Sequence, residues 1–389
     1  MQDTLDESRS QVRARILDWL ASQGQAMQDL LQKVVDIDSG SRDEAGVTAV
    51  ATALRERLEA AGVAVQLEPV PGYGVLLHAQ VPGPAEAPPI LLMGHMDTVY
   101  PAGTAARRPF RVEDGRAYGP GVADMKSGLV MNVFVAEAFA RCGGLEAPLQ
   151  LFFSCDEEIG SPATRDRIMA QARGARAVLN AEPGRVSGNL VTSRKGSMVV
   201  DFEVEGVAAH AGINHAAGAS AIGALARKIL ALHGLTDPTT GTTANVGVVH
   251  GGIVPNMVAP HAKAELDMRF TSETDPEELL AKVRAIVEEE SLPRTKGRIT
   301  ETRRTLPMKP TPDELLALYQ RGARALGFEV TGEFTGGAAD SGLTASVGAP
   351  TLCGTGPVGG HAHTEREYCE LATFVPRAQA VALAILDHP

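Results

Sequence analysis

The sequence predicts a doubly wound α/β domain with a mostly parallel sheet, into which a ferredoxin-like α+β domain is inserted. Three observations predict this fold class. Helical and strand patterns alternate up to about residue 195, as in an α/β layer. The order then changes to β-α-β-β-α-β over residues 196–306, which is the order of the ferredoxin-like unit. The chain then returns to alternating helices and strands, so we expect residues 1–195 and 307–389 to form one domain around the insert.

The first part of the chain begins with two helical patterns, over residues 11–34 and 44–62, in which apolar side chains recur at helical spacing. Strand patterns follow, and a further helix is predicted over residues 126–143. The run at 89–96 is continuously apolar, which is typical of a strand buried on both faces. The predicted strands are VAVQL near 63, VLLHAQV near 75, PILLMGHM at 89–96, LQLFFSC at 149–155 and AVLNAE at 177–182.

The insert contains four strand patterns and two helical patterns. Its helices are predicted over about residues 219–232 and in the run DPEELLAKVRAIVEEE. Its strands are SMVVDFEVEGV, ANVGVVHGG, HAKAELDMRF and RITETRRTL. The last helix of the chain is predicted in LATFVPRAQAVALAILD, where it can complete the interrupted α/β layer.

The composition predicts an ordinary globular protein, because 44% of the 389 residues are hydrophobic and 21% are charged. Acidic residues outnumber basic ones by 47 to 36 and no basic stripe is present, which argues against a nucleic-acid partner. The cysteines form no C-x-x-C pair and are predicted to be reduced. The first thirty residues contain no apolar run for a signal peptide or membrane span, which predicts a cytoplasmic protein without a membrane partner; a removed leader stays open.

Histidines and carboxylates follow the predicted strands where the strands end. Open α/β sheets bind ligands at that edge, so the shared position favours one common site. Taken singly, each residue is equally well explained as a helix cap, a salt-bridge partner or a solvated charge. The candidates are His95 and Asp97 after ILLMG, Asp124 before a helix, Asp156, Glu157 and Glu158 after the next strand, Glu182 after the following one, and His361 and His363 after the last.

Carboxylates collected at one edge repel each other unless a cation neutralises them. Imidazole and carboxylate ligands together favour zinc, although cobalt and manganese bind similar sets. The residues therefore predict a site for two metal ions. In such a site each ion binds a histidine and a carboxylate, and one carboxylate and one water are shared between the ions.

Seven motifs resemble those of the dinuclear zinc exopeptidases and deacylases, the family of carboxypeptidase G (glutamate carboxypeptidase), aminoacylases, succinyl-diaminopimelate desuccinylase and peptidase T. The matching segments are HMDTV at 95–99, YGPGVADMKSG at 118–128, CDEE at 155–158, AEPG at 181–184, AHAG at 209–212, TGGAADSG at 335–342 and HTEREY at 363–368. The resemblance covers about residues 25–385 and is closest to carboxypeptidase G. It implies that the insert, residues 196–306, is both a lid and the surface of a homodimer.

The resemblance also implies a ligand set for two zinc ions per subunit. His95 and Glu182 would bind the first ion. Glu158 and His363 would bind the second, and Asp124 would bridge the two. The Asp124–Met125 peptide bond would be cis by resemblance, whereas energy alone favours trans.

Two acidic residues beside the ligands have other implied roles. Glu157 would be the general base that takes a proton from the metal-bridging water and passes it to the leaving amine. Asp97 would orient a ligand imidazole. His361 competes with His363 for the last ligand position, and we favour His363 because it stands about five residues before Tyr368, as in the family pattern.

The insert contributes implied substrate contacts. His210 would reach an active site, commonly that of the partner subunit, and stabilise the oxyanion. Arg269 and Asn256 would hold the terminal carboxylate of the substrate. Gly337 lies in a Gly-Gly pair that indicates a hinge or a close backbone approach to the ligand. Without the resemblance, a capping histidine, a surface salt bridge and a turn asparagine are the better explanations of the first three.

Together these features predict a dinuclear zinc exopeptidase that hydrolyses the amide bond to a C-terminal amino acid. Glutamate is the leading candidate, in folates or in N-acyl or peptidyl glutamates, so the expected partner is a small molecule or short peptide with a free carboxylate. Two alternatives stay open. One is an N-acyl-amino-acid deacylase, and the other is a catalytically dead binding module that has kept the fold.

Overall fold

The computed structural model describes residues 2–84 and 86–388, which divide into two compact units. The first unit comprises Met1–Ser193, Lys309–Thr335 and Leu343–Pro389, and the second comprises Arg194–Met308 and Gly336–Gly342. The sequence predicts that all of residues 307–389 belong to the first domain, whereas the structure groups Gly336–Gly342 with the second unit. The cause of this difference is local packing, because a Cβ at Gly342 would lie 1.9 Å from the carbonyl oxygen of Leu306.

The helices of the described chain are short or medium in length. They are α1 (Gln2–Ala21), α2 (Gly24–Val35), α3 (Glu44–Ala60), α4 (Thr104–Arg107), α5 (Ser127–Cys142), α6 (Arg165–Ala172), α7 (Ala221–His233), α8 (Pro276–Glu288), α9 (Asp313–Ala325), α10 (Ser341–Ser346) and α11 (Phe374–Leu386). No helix of these residues is both long and apolar enough to cross a bilayer.

The strands fall into one large sheet and three smaller ones. They are β1 (Ala64–Val70), β2 (Gly74–Val81), β3 (Ile90–His95), β4 (Arg111–Glu113), β5 (Arg116–Tyr118), β6 (Leu149–Ser154), β7 (Ala177–Asn180), β8 (Leu190–Arg194), β9 (Gly196–Glu205), β10 (Ala209–His210), β11 (Thr243–Gly251), β12 (Met257–Val258), β13 (His261–Phe270), β14 (Lys296–Thr305), β15 (Gly332–Thr335), β16 (Thr351–Cys353), β17 (Gly359–Gly360) and β18 (Tyr368–Glu370).

The large sheet has the order β1-β2-β6-β3-β7-β16-β8-β15. Its central strands β6, β3, β7 and β16 are parallel to one another, whereas β2 pairs antiparallel with β1 and β6 on one side and β8 pairs antiparallel with β16 on the other. Every residue of β3 is buried, as expected for the middle strand of a covered parallel sheet. Helix α5 packs on β3 with side chains that are buried from Ser127 to Phe139. The predicted α/β fold class is confirmed.

The second unit is an antiparallel sheet with two helices. Its strand order is β11-β13-β9-β14, which is the order that a β-α-β-β-α-β chain produces in the ferredoxin-like fold. Residues of β13 alternate between exposed and buried, so one face of this sheet carries the core. That core contains Phe202, Leu266 and Phe270 together with Leu225 of α7 and Val283 of α8.

A smaller sheet helps to position the candidate site in the first unit. An antiparallel sheet of order β17-β18-β5-β4 carries the loop before β18. The four cysteines are free thiols, as predicted, and all except Cys142 are buried. The fold therefore exposes two regions for the predicted chemistry, the carboxyl ends of the central strands in the first unit and the loops of the second unit.

Candidate metal centre

Most candidate ligands lie at the carboxyl ends of three neighbouring parallel strands. His95 is the last residue of β3, Glu157 and Glu158 follow β6, and Glu182 follows β7. The strands β6, β3 and β7 are adjacent, and His95 is in register with Ser154. The fold thus brings side chains that are distant in sequence to one edge of the sheet.

Asp124 reaches this edge from the irregular turn Val122–Lys126, which leads into α5. The Asp124–Met125 peptide bond is cis. The backbone N–H of His95 donates to the sulfur of Met125 at 3.3 Å, so the turn packs directly on the end of β3. Gly94 leaves room for this contact, because a Cβ there would lie 2.7 Å from the Met125 methyl group.

His363 reaches the same edge from the loop between β17 and β18. Both His361 and His363 have a positive φ, 56° and 62°. The structure turns the ring of His363 toward carboxylates of the first unit. The ring of His361 instead packs edge-on against Tyr368, with the ring centroids 5.9 Å apart.

One set of side chains surrounds Nε2 of His95. This nitrogen lies 3.2 Å from Oδ1 of Asp124, 3.7 Å from Oε1 of Glu182 and 3.8 Å from Oε2 of Glu157. We call these four side chains the His95 group. Its histidine is only 2% exposed, and all three carboxylates converge on one nitrogen.

A second set surrounds Nε2 of His363. This nitrogen lies 3.3 Å from Oδ2 of Asp124 and 3.2 Å from Oε2 of Glu158. We call these three side chains the His363 group. Asp124 belongs to both groups, with one oxygen facing each histidine. The side chain of His363 is 52% exposed, so this group is the more open of the two.

The donor atoms fit a divalent cation. Ligand atoms of His95, Asp124 and Glu158 all lie within 4.8 Å of one another. Oε1 of Glu158 is buried with no hydrogen-bond partner among the described residues, a costly arrangement for a carboxylate oxygen unless a cation binds there. Imidazole nitrogens combined with carboxylate oxygens are a donor set that zinc accepts.

The ionisation of these side chains follows from their mutual contacts. Burial alone would lower the pKa of His95, but its hydrogen bonds to Asp124 and Asp97 raise it well above its usual value. Hydrogen bonds to Asp124 and Glu158 raise the pKa of His363 to about 11. Burial, together with the charge of Asp124, raises the pKa of Glu158 to about 7. When no metal is bound, protons are therefore held tightly on His95 and His363, and metal binding must displace them.

Asp97 ties the end of β3 to the segment that carries the two glutamates. Its side chain accepts hydrogen bonds from the backbone N–H groups of Glu157 and Glu158, both at 3.1 Å, and from the hydroxyl of Ser41 at 2.6 Å. Its Oδ1 also lies 3.4 Å from Nδ1 of His95. A carboxylate beside a ligand imidazole fixes the ring orientation. Ser41 is a contributor that sequence reasoning missed, because nothing in its own segment resembles a metal motif.

Asp156, the first acid of CDEE, has a different role from its two neighbours. Its carboxylate accepts hydrogen bonds from the backbone N–H of Ala163 at 2.7 Å and from both the N–H and the hydroxyl of Thr164. Burial raises its pKa. The hydrogen bonds of Asp156 thus hold the segment that follows the two glutamates. The sequence alone did not distinguish this role from the roles of Glu157 and Glu158.

His210 and Asn256 lie together in the second unit. His210 ends β10, which pairs with β12. The carbonyl oxygen of Asn256 accepts a hydrogen bond from the N–H of Ala211 at 2.9 Å. Nδ1 of His210 lies 3.2 Å from the backbone N–H groups of both Gly212 and Ile213.

Arg269 lies elsewhere in the second unit. It is near the end of β13, whereas the chain enters this strand from Asn256 at His261, and eight residues of strand span roughly 26 Å. Most of the chain between Asn256 and Arg269 is therefore extended strand. The guanidinium of Arg269 donates to Asp267 through Nε and Nη2, each at 3.0 Å. Gly337 is also in this unit, where its carbonyl oxygen accepts from Arg194 at 3.2 Å.

Comparison with known proteins identifies relatives over nearly the whole chain. Carboxypeptidase G2 from Pseudomonas sp. (strain RS-16) is 28% identical over 369 residues, which are 92% of this chain and 88% of the relative. Succinyl-diaminopimelate desuccinylase from Leptothrix cholodnii is 29% identical over 318 residues, covering 76% of this chain and 81% of the relative. The structure of an M20 family metallo-carboxypeptidase, Sso-CP2 from Sulfolobus solfataricus, gives a TM-score of 0.78 at 18% identity over 93% of this chain and 99% of that one, which supports the fold.

A family model described as peptidase family M20/M25/M40 matches residues 91–387. This match covers every residue of the His95 and His363 groups. The resemblance to carboxypeptidase G and the prediction of a hydrolase are both confirmed. The chain belongs to peptidase family M20/M25/M40 and is a metal-dependent hydrolase of peptide or acyl-amino acid bonds.

Proposed function

We propose that the protein is a dinuclear zinc exopeptidase that releases a C-terminal amino acid, with glutamate as the leading candidate. The observation that carries this proposal is the position of Asp124, which presents one oxygen to each histidine of two adjacent ligand groups. A shared carboxylate is the arrangement that holds two cations close together. The similarity to carboxypeptidase G2 supports a carboxypeptidase. We propose folate-type, N-acyl or peptidyl glutamates as its substrates.

The residues of the first unit have distinct proposed roles. His95 and Glu182 would hold one cation, His363 and Glu158 the other, and Asp124 both. Bound cations would polarise the scissile carbonyl and lower the pKa of the attacking water. Cobalt or manganese would suit the same donor atoms, so zinc is our proposal for the native metal.

Glu157 is the proposed general base. Its backbone N–H donates to Asp97, and its carboxylate Oε2 lies 3.8 Å from Nε2 of His95. It would accept a proton as the water oxygen adds to the carbonyl carbon. It would then donate that proton to the amine nitrogen as the carbon–nitrogen bond breaks.

His210 is the proposed oxyanion donor. Because two backbone N–H groups point at its Nδ1, the neutral ring carries its proton on Nε2. The free edge of the ring is therefore a hydrogen-bond donor, which is what stabilising an oxyanion requires. His210 is exposed, so it is accessible to a second molecule.

We propose that this second molecule is another copy of the chain, in a homodimer formed through the second unit. β11 is an edge strand of that unit, and its residues Val248 and Val249 are exposed. Ile222 and Leu230 of α7 are exposed as well, the latter by 77%. Exposed apolar residues concentrated on one edge strand and one helix are typical of a protein interface.

A dimer also resolves the separation of Arg269 from Asn256. Strand β13 extends between them within one chain, and we propose that the two residues that act on one carboxylate come from different chains. The guanidinium of Arg269 would then hold the terminal carboxylate of the substrate, and His210 and Asn256 would come from the partner. The backbone at Gly337 would approach the substrate. A cytoplasmic location stays a prediction.

An N-acyl-amino-acid deacylase is the second candidate function. The similarity to succinyl-diaminopimelate desuccinylase favours it, because that relative removes an acyl group, as its name states. In such an enzyme the acyl side would be recognised more closely than the amino-acid side. Both candidates use the same proposed centre and differ in substrate.

The test is an amino-acid release assay on the zinc-loaded protein. Benzoyl- and pteroyl-type glutamates would be compared with the same acyl groups on alanine and leucine, and with succinylated amino acids, each with and without a chelator. We expect chelator-sensitive release that is fastest from the glutamates. Faster release from succinylated or apolar amino acids would favour the deacylase. No release from any N-acyl or peptidyl substrate would contradict the proposal.

A further inference from the structure

The carboxylate of Glu367 is fully buried beside the candidate metal centre but belongs to neither ligand group. Its Oε1 accepts hydrogen bonds from the backbone N–H groups of Ala123 and Asp124, both at 2.9 Å. Its Oε2 accepts from the N–H of Gly121 at 3.1 Å and from the hydroxyl of Tyr100 at 2.6 Å. A buried carboxylate is costly unless it is hydrogen-bonded, and here four donors satisfy it.

These hydrogen bonds join two segments that are far apart in sequence. Glu367 stands four residues after His363, at the end of the loop that carries this histidine. The N–H groups that it accepts from belong to the turn that carries Asp124. Arg108 fixes the same loop from another side, since it donates to the carbonyl oxygen of Glu365 at 2.8 Å. The contact of Glu367 therefore sets how the His363 loop meets the Asp124 turn.

The two ligand groups depend on this contact to different extents. His95 is held independently, because it ends a buried strand and its ring lies against Asp97. His363 stands in an exposed loop with a positive φ, and Glu367 lies at the end of that loop while it also holds the turn of Asp124, one of the two carboxylates that the ring meets. Loss of the Glu367 contact should therefore disturb the His363 group more than the His95 group.

We propose that Glu367 is a positioning residue that holds the His363 group in its metal-binding geometry and so sets the affinity of one of the two metal ions. This inference rests on the two-metal centre of the proposed function. Tyr100 supports it through the fourth hydrogen bond. Residues that orient metal ligands typically contribute about 10- to 100-fold to metal affinity.

The substitution Glu367→Gln tests the proposal, because it keeps the shape of the side chain but directs an amide NH2 at backbone N–H donors. Stepwise zinc affinities would be measured by competition with a fluorescent chelator. We expect the weaker of the two affinities to fall about 10- to 100-fold and the stronger one to change by less than about threefold. The matched control is Glu370→Gln. Among the described residues, the Glu370 carboxylate forms an ion pair only with Arg116, at 2.8 Å, so both zinc affinities should stay as in the wild type.

A purely structural role would give a different pattern. The melting temperature of the metal-free Glu367→Gln protein would fall while both zinc affinities stayed at wild-type values, and that result would overturn the proposal. An equal fall in both affinities would also overturn it. If Glu367→Gln does not fold, Tyr100→Phe removes a hydroxyl that lies 2.6 Å from Glu367 and 2.8 Å from the carbonyl oxygen of Thr364 in the same loop, and it should weaken the same binding step by a smaller factor. No change in that step would contradict the proposal. A wild-type protein that binds fewer than two zinc ions would instead refute the two-metal centre itself.

Discussion

The candidate residues of the first unit are held very differently from those of the second. In the first unit, His95, Asp97 and Glu158 are buried or nearly so, and Asp97 joins the end of β3 to the segment after β6. In the second unit, His210 is exposed and Arg269 is paired within its own strand, roughly 26 Å of strand away from the entry at His261. The first set is joined by contacts within one unit, whereas we propose that the second set meets the substrate through a second copy of the chain.

This difference separates metal binding from substrate binding. A centre that is already assembled can bind metal without any rearrangement of the second unit. In the proposed enzyme, the exposed groups of the second unit contact the substrate and not the metal ions. We therefore expect substitutions in the first unit to change metal content or chemistry, and substitutions in the second unit to change turnover or substrate affinity with the metal content unchanged.

The largest effect is expected for His363→Ala. This substitution removes the only nitrogen that faces Oδ2 of Asp124 among the described residues, so the second zinc ion should be lost and activity should fall to background. The measurement is zinc per chain by mass spectrometry, with activity alongside. His361→Ala is the matched control, since it lies in the same loop with nearly the same φ. If the two variants behaved in the opposite way, His361 would be the ligand.

Glu157→Gln should be the next most damaging change. The amide cannot accept a proton, so kcat should fall by about 100- to 10,000-fold, whereas two zinc ions stay bound. Zinc content and kcat would be measured on the same preparation. Glu158→Gln is the informative neighbour, because it should lose metal as well as activity. An active Glu157→Gln enzyme would remove Glu157 from the mechanism.

His210→Asn tests the second unit. Loss of an oxyanion donor should lower kcat by about 100- to 1,000-fold, and neither zinc content nor KM should change much. The control is His215→Asn, a nearby exposed histidine of the same unit with no proposed role. Mixing His210→Asn with Glu157→Gln protein sharpens the test, because a dimer with sites built from both chains should regain part of the activity. No recovery on mixing, with dimers present, would argue that His210 acts within its own chain.

The smallest effect is expected for Arg269→Lys. Lysine keeps the charge but lacks the planar fork that pairs with a carboxylate, so KM should rise by about tenfold with little change in kcat. Arg298→Lys is the control, because this arginine pairs with Glu203 at the surface of the same unit. An unchanged KM would mean that another group holds the terminal carboxylate.

The large-scale arrangement could be predicted because strand ends are visible in sequence. Continuous apolar runs mark the buried strands, so the acids after them map to one edge of the sheet. The insert could likewise be predicted from its β-α-β-β-α-β order. In both cases the prediction rests on the local pattern of apolar residues, which the folded structure keeps as buried strands and helix faces.

The supporting contacts could not be predicted because they depend on directions of backbone N–H groups. Asp156 and Glu157 are adjacent acids, yet one caps the following segment and the other faces the metal centre. Ser41 and Glu367 act through hydrogen bonds that span 56 residues in one case and more than 240 in the other. Spacing along the chain contains no information about such pairs.

The separation of Arg269 from Asn256 was hidden for a related reason. The two residues are only 13 positions apart, a spacing that allows contact in a hairpin or a loop. In the structure most of that segment is the extended strand β13, which carries Arg269 away from Asn256. The family resemblance implied one shared role for the two residues, and their short spacing gave no sign of the extended strand between them.

The most direct test of the account is anomalous diffraction at the zinc edge from zinc-loaded crystals. Two peaks are expected in the first unit of each chain, about 3.5–4 Å apart. One should lie beside Oδ1 of Asp124 and His95, and the other beside Oδ2 of Asp124 and His363. A single peak, or two peaks that do not share Asp124, would contradict the dinuclear centre.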